Sequence, residues 1–218
     1  MARVLEWKKH YRVIHSRFPP INLFDEDREG DALLLAELEG ETSDRLTRWN
    51  EFIREDDYRN GSGWGAVMAA FCYTNNGRFS IEDRLGAYYC ADSDITAIAE
   101  WSYHAAKVWR DIRYTDEASA TVRCLVGSLT EPLVDARKNS RVHKKTDYST
   151  SQAFALKHYQ AQDFGILYRS LRNPGGECAA LLRPCATTPV KQGVHYSITW
   201  DGSKFTQYAL VGPFKPLP

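Results

Sequence analysis

The sequence predicts a single domain of the α+β class. Strand-like and helix-like patterns follow one another irregularly along its 218 residues, without the steady βαβ succession of a doubly wound sheet. A long alternating segment near the end reads as a β-hairpin, the connection of an antiparallel sheet. Hydrophobic residues at 43% and charged residues at 26% are globular values, and no repeat, low-complexity stretch or linker divides the chain.

Each element follows from local pattern. "YRVIHSRF" (11–18) is β-branched and alternating, and Pro19-Pro20 ends it. Residues 28–39 carry four leucines and close at Gly40, a short helix. In "ETSDRLTRWNEFIRED" Ser43 or Asp44 caps a second helix, with Leu46, Trp49, Phe52 and Ile53 at helical spacing. "RNGSGWG" (59–65) is a loop, "AVMAAFCYT" (66–74) fits strand or helix, and Asn75-Asn76-Gly77 marks a turn. "LGAYYCA" is a strand. Asp92, Ser93 and Asp94 offer caps for a helix whose stripe runs Ile95, Ile98, Ala99, Ser102, Ala105, Ala106, Trp109. "ATVRCLVGSL" (120–129) is a strand and "DARKNSRVHKKTD" a polar basic loop. "STSQAFALKHYQAQDFG" is a helix ending at Gly165. "GILYRSL" and "CAALLRP" are strands about a Pro-Gly-Gly turn. Asp201-Gly202 joins the two runs of the closing hairpin.

Composition narrows function. Lys+Arg 28 balances Asp+Glu 28, so no overall field draws the chain to nucleic acid or membrane. The five cysteines contain no CxxC and sit mostly in apolar contexts, which predicts buried reduced thiols. Neither they nor the six histidines have metal-site spacing, so no metal is expected. The charged N-terminus is no signal peptide, and the longest apolar run, Trp64 to Tyr73, is too short for a membrane span; the expectation is a cytoplasmic protein. "GSGWG" matches no phosphate-loop pattern and reads as a flexible loop, and Gly127-Ser128 lacks the second glycine of a nucleophile elbow. The cations at 137, 138, 141, 144 and 145 read as a solvated loop.

Glu100 lies opposite the apolar stripe of its helix, beside Thr96, His104 and Lys107. That face either meets solvent or lines a cleft. Arg78 after a glycine turn, and Ser170 after a strand, are unremarkable singly.

In combination these residues resemble the RES family, whose members are bacterial toxins usually encoded beside an Xre-type antitoxin. The resemblance rests on Tyr11-Arg12-Val13, on Gly77-Arg78 followed by Gly86 and Ala87-Tyr88-Tyr89, on Ala97-Ile98-Ala99-Glu100, on "GILYRSLRNPGGECAALLRP" with Ser170, and on "HYSITWDGSKF". Phe79-Ser80 replaces the family's Trp-Asn, and residues 25–75 are longer than usual there. The resemblance implies one domain over 1–218 with a helical insertion at about 25–75. Its fold would be ADP-ribosyltransferase-like: split β-sheets with flanking helices around an NAD cleft. NAD+ would be the substrate, with no prosthetic group, and the reaction would cleave the nicotinamide–ribose bond by phosphorylase or glycohydrolase chemistry. The alternatives are ADP-ribosylation of a macromolecule and an inactive binding module. An Xre-type antitoxin, phosphate as acceptor and a homodimer are the implied partners, with neither membrane nor nucleic acid.

The residue types fit that chemistry. Departure of a cationic leaving group needs no general acid but leaves positive charge on the ribose, which the Glu100 carboxylate can stabilise. The guanidinium forks of Arg78 and Arg12 suit phosphate oxygens. Tyr88 or Tyr89 offers a face to the nicotinamide ring. Ser170, with no adjacent His-Asp pair, reads as a hydrogen-bond donor to nicotinamide or its ribose.

Overall fold

The computed structural model describes residues 2–16 and 49–212. The predicted helix over 28–39, Pro19-Pro20 and the caps at Ser43 and Asp44 lie outside these.

The strands are β1 (Arg3–Val4), β2 (His10–His15), β3 (Tyr88–Ala91), β4 (Ala118–Gly127), β5 (Leu133–Asp135), β6 (Gly165–Arg169), β7 (Glu177–Leu181), β8 (Lys191–Trp200) and β9 (Phe205–Val211). They form one sheet in the order β1-β5-β6-β7-β3-β2-β4-β8-β9. Only β5 and β6 pair in parallel. The fold is therefore α+β.

The sheet is nearly divided. β2 and β4 pair over six residues, but β2 and β3 share the single register pair Tyr11↔Ala91 and then part. Antiparallel strands that stop pairing leave a fork whose backbone groups need other partners.

Strand alternation sends the sheet's apolar residues into two cores. One face holds Val13, Val122, Ile166, Tyr168, Ala180 and Ile198; the other holds Tyr88, Leu125, Leu133, Leu167 and Leu181. Helix α1 (Trp49–Phe52) lies within the segment predicted helical, and α2 (Gly65–Cys72) resolves the open choice over 66–74 as helix. Val67, Met68 and Phe71 of α2 enter the second core.

Helix α3 (Asp94–Asp111) packs on the first core. Ser93 caps it, its Oγ accepting from Thr96 N. Ile98 and Ala106 are buried as the stripe predicts, but Ile95 is 51% exposed, while its neighbours Thr96 and Ala97 are buried.

Helix α4 (Ser149–Gln160) ends five residues before the predicted Gly165. Gln162, at φ 64°, adopts the left-handed conformation expected of the glycine. Gly165 instead begins β6, where a Cβ would lie 2.8 Å from Ala180 O. The closing hairpin turns over Asp201–Lys204 rather than over two residues, with the Asp201 carboxylate accepting from Ser203 N and Lys204 N.

The basic loop is anchored at Arg137, while Lys138, Arg141, Lys144 and Lys145 are exposed, as a solvated loop requires. Arg137 donates to Asp135, Glu6 and Glu177 at 2.8–2.9 Å, and these carboxylates push its pKa up further. Val142 is buried. The "GSGWG" loop is also held: Gly63 O accepts from Val190 N, and a Cβ on Gly63 would meet Val190 O at 2.4 Å. All five cysteines are free thiols, four of them buried as expected and Cys185 half-buried. Among the described residues no helix is long and apolar enough to cross a membrane.

Candidate active site

The strongest contact among the predicted residues is between Ser170 and Glu100. Ser170 follows β6 and Glu100 sits on the second turn of α3. Ser170 Oγ donates to Glu100 Oε1 at 2.6 Å while accepting from the peptide N–H groups of Arg172 (3.1 Å) and Asn173 (2.9 Å). With two donors on its lone pairs, the hydroxyl proton is directed at the carboxylate. Cys178, buried on β7, stands 3.9 Å from the same oxygen.

Arg78 is buried and differently engaged. Its Nη1 donates to Val142 O and Lys144 O, both at 2.7 Å, and its guanidinium lies 5.0 Å from the Tyr148 ring centroid. It therefore fastens the basic loop to the Gly77–Ser80 turn. The turn is held from the other side by Gln152 of α4, whose Nε2 donates to Gly77 O and Ser80 O. Gly77 is required sterically, since a Cβ would lie 2.6 Å from Ser80 Oγ and 2.8 Å from Tyr89 Oη.

The two tyrosines take opposite sides of β3. Tyr89 Oη accepts from Phe79 N at 2.8 Å and donates to Ser80 Oγ at 3.2 Å. Tyr88 is wholly buried in the second core, edge-on to His10, and its hydroxyl has no partner among the described residues. Burial drives its pKa far up.

Arg12 occupies the fork where β2 leaves β3. Its Nη1 donates to Tyr89 O at 2.9 Å, and its guanidinium lies 4.7 Å from the Tyr88 centroid. Its Nε is buried without a partner, and no carboxylate pairs with it among the described residues. A small cavity opens here, lined by Arg12, Tyr73, Thr74, Asn75, Ser80 and Tyr89. Glu100 and Ser170 are not in its wall.

Electrostatics links the two parts. Glu100 and Arg78 both act on Tyr168 and on His104, though no direct contact joins them among the described residues. His104 is solvent-exposed, yet burial by surrounding protein lowers its pKa, with Glu100 opposing and Arg172, Arg78 and Lys107 reinforcing. Arg172 stacks on Tyr103 at 3.3 Å along the same helix. His143 Nε2 accepts from Arg169 N at 3.1 Å and its Nδ1 bonds Asn139 O at 2.8 Å, which fixes a neutral imidazole between the basic loop and the end of β6.

The structure thus brings together Glu100 with Ser170, Arg78 with the loop at 142–144, and Arg12 with Tyr89. It places Tyr88 in the second core, with its ring against Arg12. Sequence spacing gave no access to Gln152, Tyr148 or His143, because each reaches the site from a segment remote in sequence. His104 was visible as the i+4 neighbour of Glu100. Among the described residues no group of His, Cys, Asp or Glu is arranged to hold a metal ion.

The fold and site define an α+β domain with one carboxylate fixed on a helix face by a serine hydroxyl. The RES domain family model matches residues 45–201 of the 218. The chain belongs to the RES domain family. The matched span contains Arg78, Tyr88, Tyr89, Glu100 and Ser170 and leaves Arg12 outside. A solved structure to which the chain is similar is the crystal structure of the M. tuberculosis MbcT–MbcA toxin–antitoxin complex, at 14% identity and a TM-score of 0.44, covering 96% of this chain and 86% of that one. No curated protein sequence matches it significantly.

Proposed function

We propose that the chain is a toxin of the RES type that cleaves the nicotinamide–ribose bond of NAD+, as a phosphorylase or glycohydrolase. The observation that carries this reading is the Glu100 carboxylate, held at 2.6 Å by Ser170. As the C1′–N bond breaks, its electron pair leaves with nicotinamide, which becomes neutral. The ribose carries the positive charge until a water or phosphate oxygen adds to C1′ and sheds its proton. Glu100 supports that charge and orients the acceptor.

Arg12 supplies a partly buried charge, without a carboxylate partner among the described residues, beside a cavity smaller than an ordinary ligand pocket. A phosphate group, not a whole dinucleotide, suits it. Arg78 keeps one edge of its fork for the same anionic ligand, the other being bound to main-chain carbonyls. Of the two tyrosines, Tyr89 takes the role at the nicotinamide, since Tyr88 is sealed in the core. The proton of Ser170 is committed to Glu100, so Ser170 orients the carboxylate and donates to nicotinamide only if that bond opens. An antitoxin partner is implied by the family.

The test separates binding from cleavage. Glu100→Gln should bind NAD+ within about threefold of wild type by calorimetry and lose a hundredfold or more of nicotinamide release. Labelled ADP-ribose appearing on a macromolecule would favour the transferase reading. Full activity in the variant would overturn the role given to Glu100.

A further inference from the structure

The turn between β6 and β7 contains a residue outside any role given above. Asn173 donates its side-chain Nδ2 to Thr96 Oγ1 at 2.9 Å, while its peptide N–H donates to Ser170 Oγ at 2.9 Å. Thr96 is fully buried and lies one helical turn before Glu100 on α3. The contacts therefore close a ring, Thr96 to Asn173 to Ser170 to Glu100, that begins and ends on the same helix.

The ring has few ways to slip. Ser170 N donates to Gly176 O, and Gly176 N donates to Asn173 O, so the turn is folded on itself. Gly175 supplies a left-handed φ of 89°. At Gly176 a Cβ would meet Thr96 Oγ1 at 2.5 Å and Asn173 Nδ2 at 2.9 Å, so the turn lies flat against α3. Glu177 N donates to the Asp92 carboxylate just before the helix. Of these contacts, the Asn173 bond to Thr96 is the side-chain fastening nearest Ser170. It fixes the position of the two peptide N–H groups that fill the lone pairs of Ser170 and aim its proton at Glu100.

We infer that Asn173 is a positioning residue, acting on Glu100 through Ser170. The inference rests on the role proposed for Glu100, deepening it from one carboxylate to the turn that orients it. Without Asn173 the turn keeps its backbone bonds but loses its register on α3. The carboxylate then samples rotamers that do not face the ribose. Substrate still binds, because Asn173 is no part of the cation set at Arg12 and Arg78.

The full chain carrying Asn173→Ala should lose about tenfold or more in kcat with NAD+, as removal of an outer supporting hydrogen bond does, and keep KM within about twofold. Thr96→Val should reproduce that loss, and Thr96→Ser, which retains the acceptor, should restore most of it. The double variant should be no slower than Asn173→Ala alone. A crystal structure of Asn173→Ala should show Glu100 released from Ser170 Oγ. An unchanged kcat, a parallel loss of kcat and folded fraction, or a Glu100–Ser170 bond intact in the variant would each overturn the inference. If the wild-type chain releases no nicotinamide, the proposed function falls, and the crystal structure still decides whether Asn173 positions Glu100.

Discussion

Tyr88 and Tyr89 are neighbours in sequence with opposite surroundings. Alternation along a strand requires one to point to each face, but only the fork between β2 and β3 makes the Tyr89 side a cavity wall. The sequence therefore showed the pair and not the choice. Tyr88 Oη has no partner among the described residues, so Tyr88→Phe should leave stability unchanged or slightly higher, because it removes an unsatisfied polar group. Tyr89→Phe strips the acceptor from Phe79 N and should cost about 1–3 kcal/mol in denaturant melts. Equal effects from the two would contradict the assignment. Glu100 was legible as a polar residue opposite an apolar stripe. Its bond to Ser170 was not, because the two stand 70 residues apart.

At the scale of elements, α3, the closing hairpin and the strands around the Pro-Gly-Gly turn were legible from period, caps and turn residues. The misses have separate causes. β1 and β5 are two and three residues long, too short for any period to show, and exist because they complete a sheet edge. The end of α4 was displaced because Gln162 adopts a conformation that sequence assigns to glycine. The anchoring of the basic loop was hidden because charge alone does not reveal that Arg137 faces three carboxylates. A similar pairing fixes the segment after α1. Asp57 is 2% exposed and accepts three bonds from Arg183 at 2.8–3.1 Å. Burial alone would raise its pKa, but the bonds from Arg183 and Cys185 hold it below the ordinary carboxylate value. Asp57→Asn leaves the guanidinium without its counter-charge and should cost about 3–5 kcal/mol, read as a fall in the midpoint of chemical denaturation. A loss under 1 kcal/mol would show that water reaches the pair.

For the whole molecule, the near-division of the sheet joins stability to the site. His10, beside the fork on β2, is fully buried, and burial followed by the nearby Arg12 lowers its pKa to about 4 from 6.5. The unfolded chain therefore takes up this proton first. Above pH 6.5 His10 is neutral in both states and costs nothing; as pH falls from 6.5 towards 4, stability should drop by on the order of 3 kcal/mol. Denaturation at stepped pH should show that slope, flattened in His10→Gln, with His104 and His143 contributing in the same direction. A variant slope equal to wild type would exclude His10 as its source. The α+β class and the Arg, Glu and Ser positions could all be read before the structure. The fork, the cavity behind Arg12 and the commitment of the Ser170 proton could not, because they arise from strand pairing across the chain. The central claim is cleavage of NAD+ at the Glu100 carboxylate. The most direct test is to incubate the purified chain with NAD+, with and without phosphate, beside Glu100→Gln, and to resolve the products by mass. Nicotinamide release that disappears in the variant, with the mass of the ADP-ribose product naming water or phosphate as acceptor, is the predicted result. No nicotinamide from folded wild-type chain, or equal release from the variant, would contradict it.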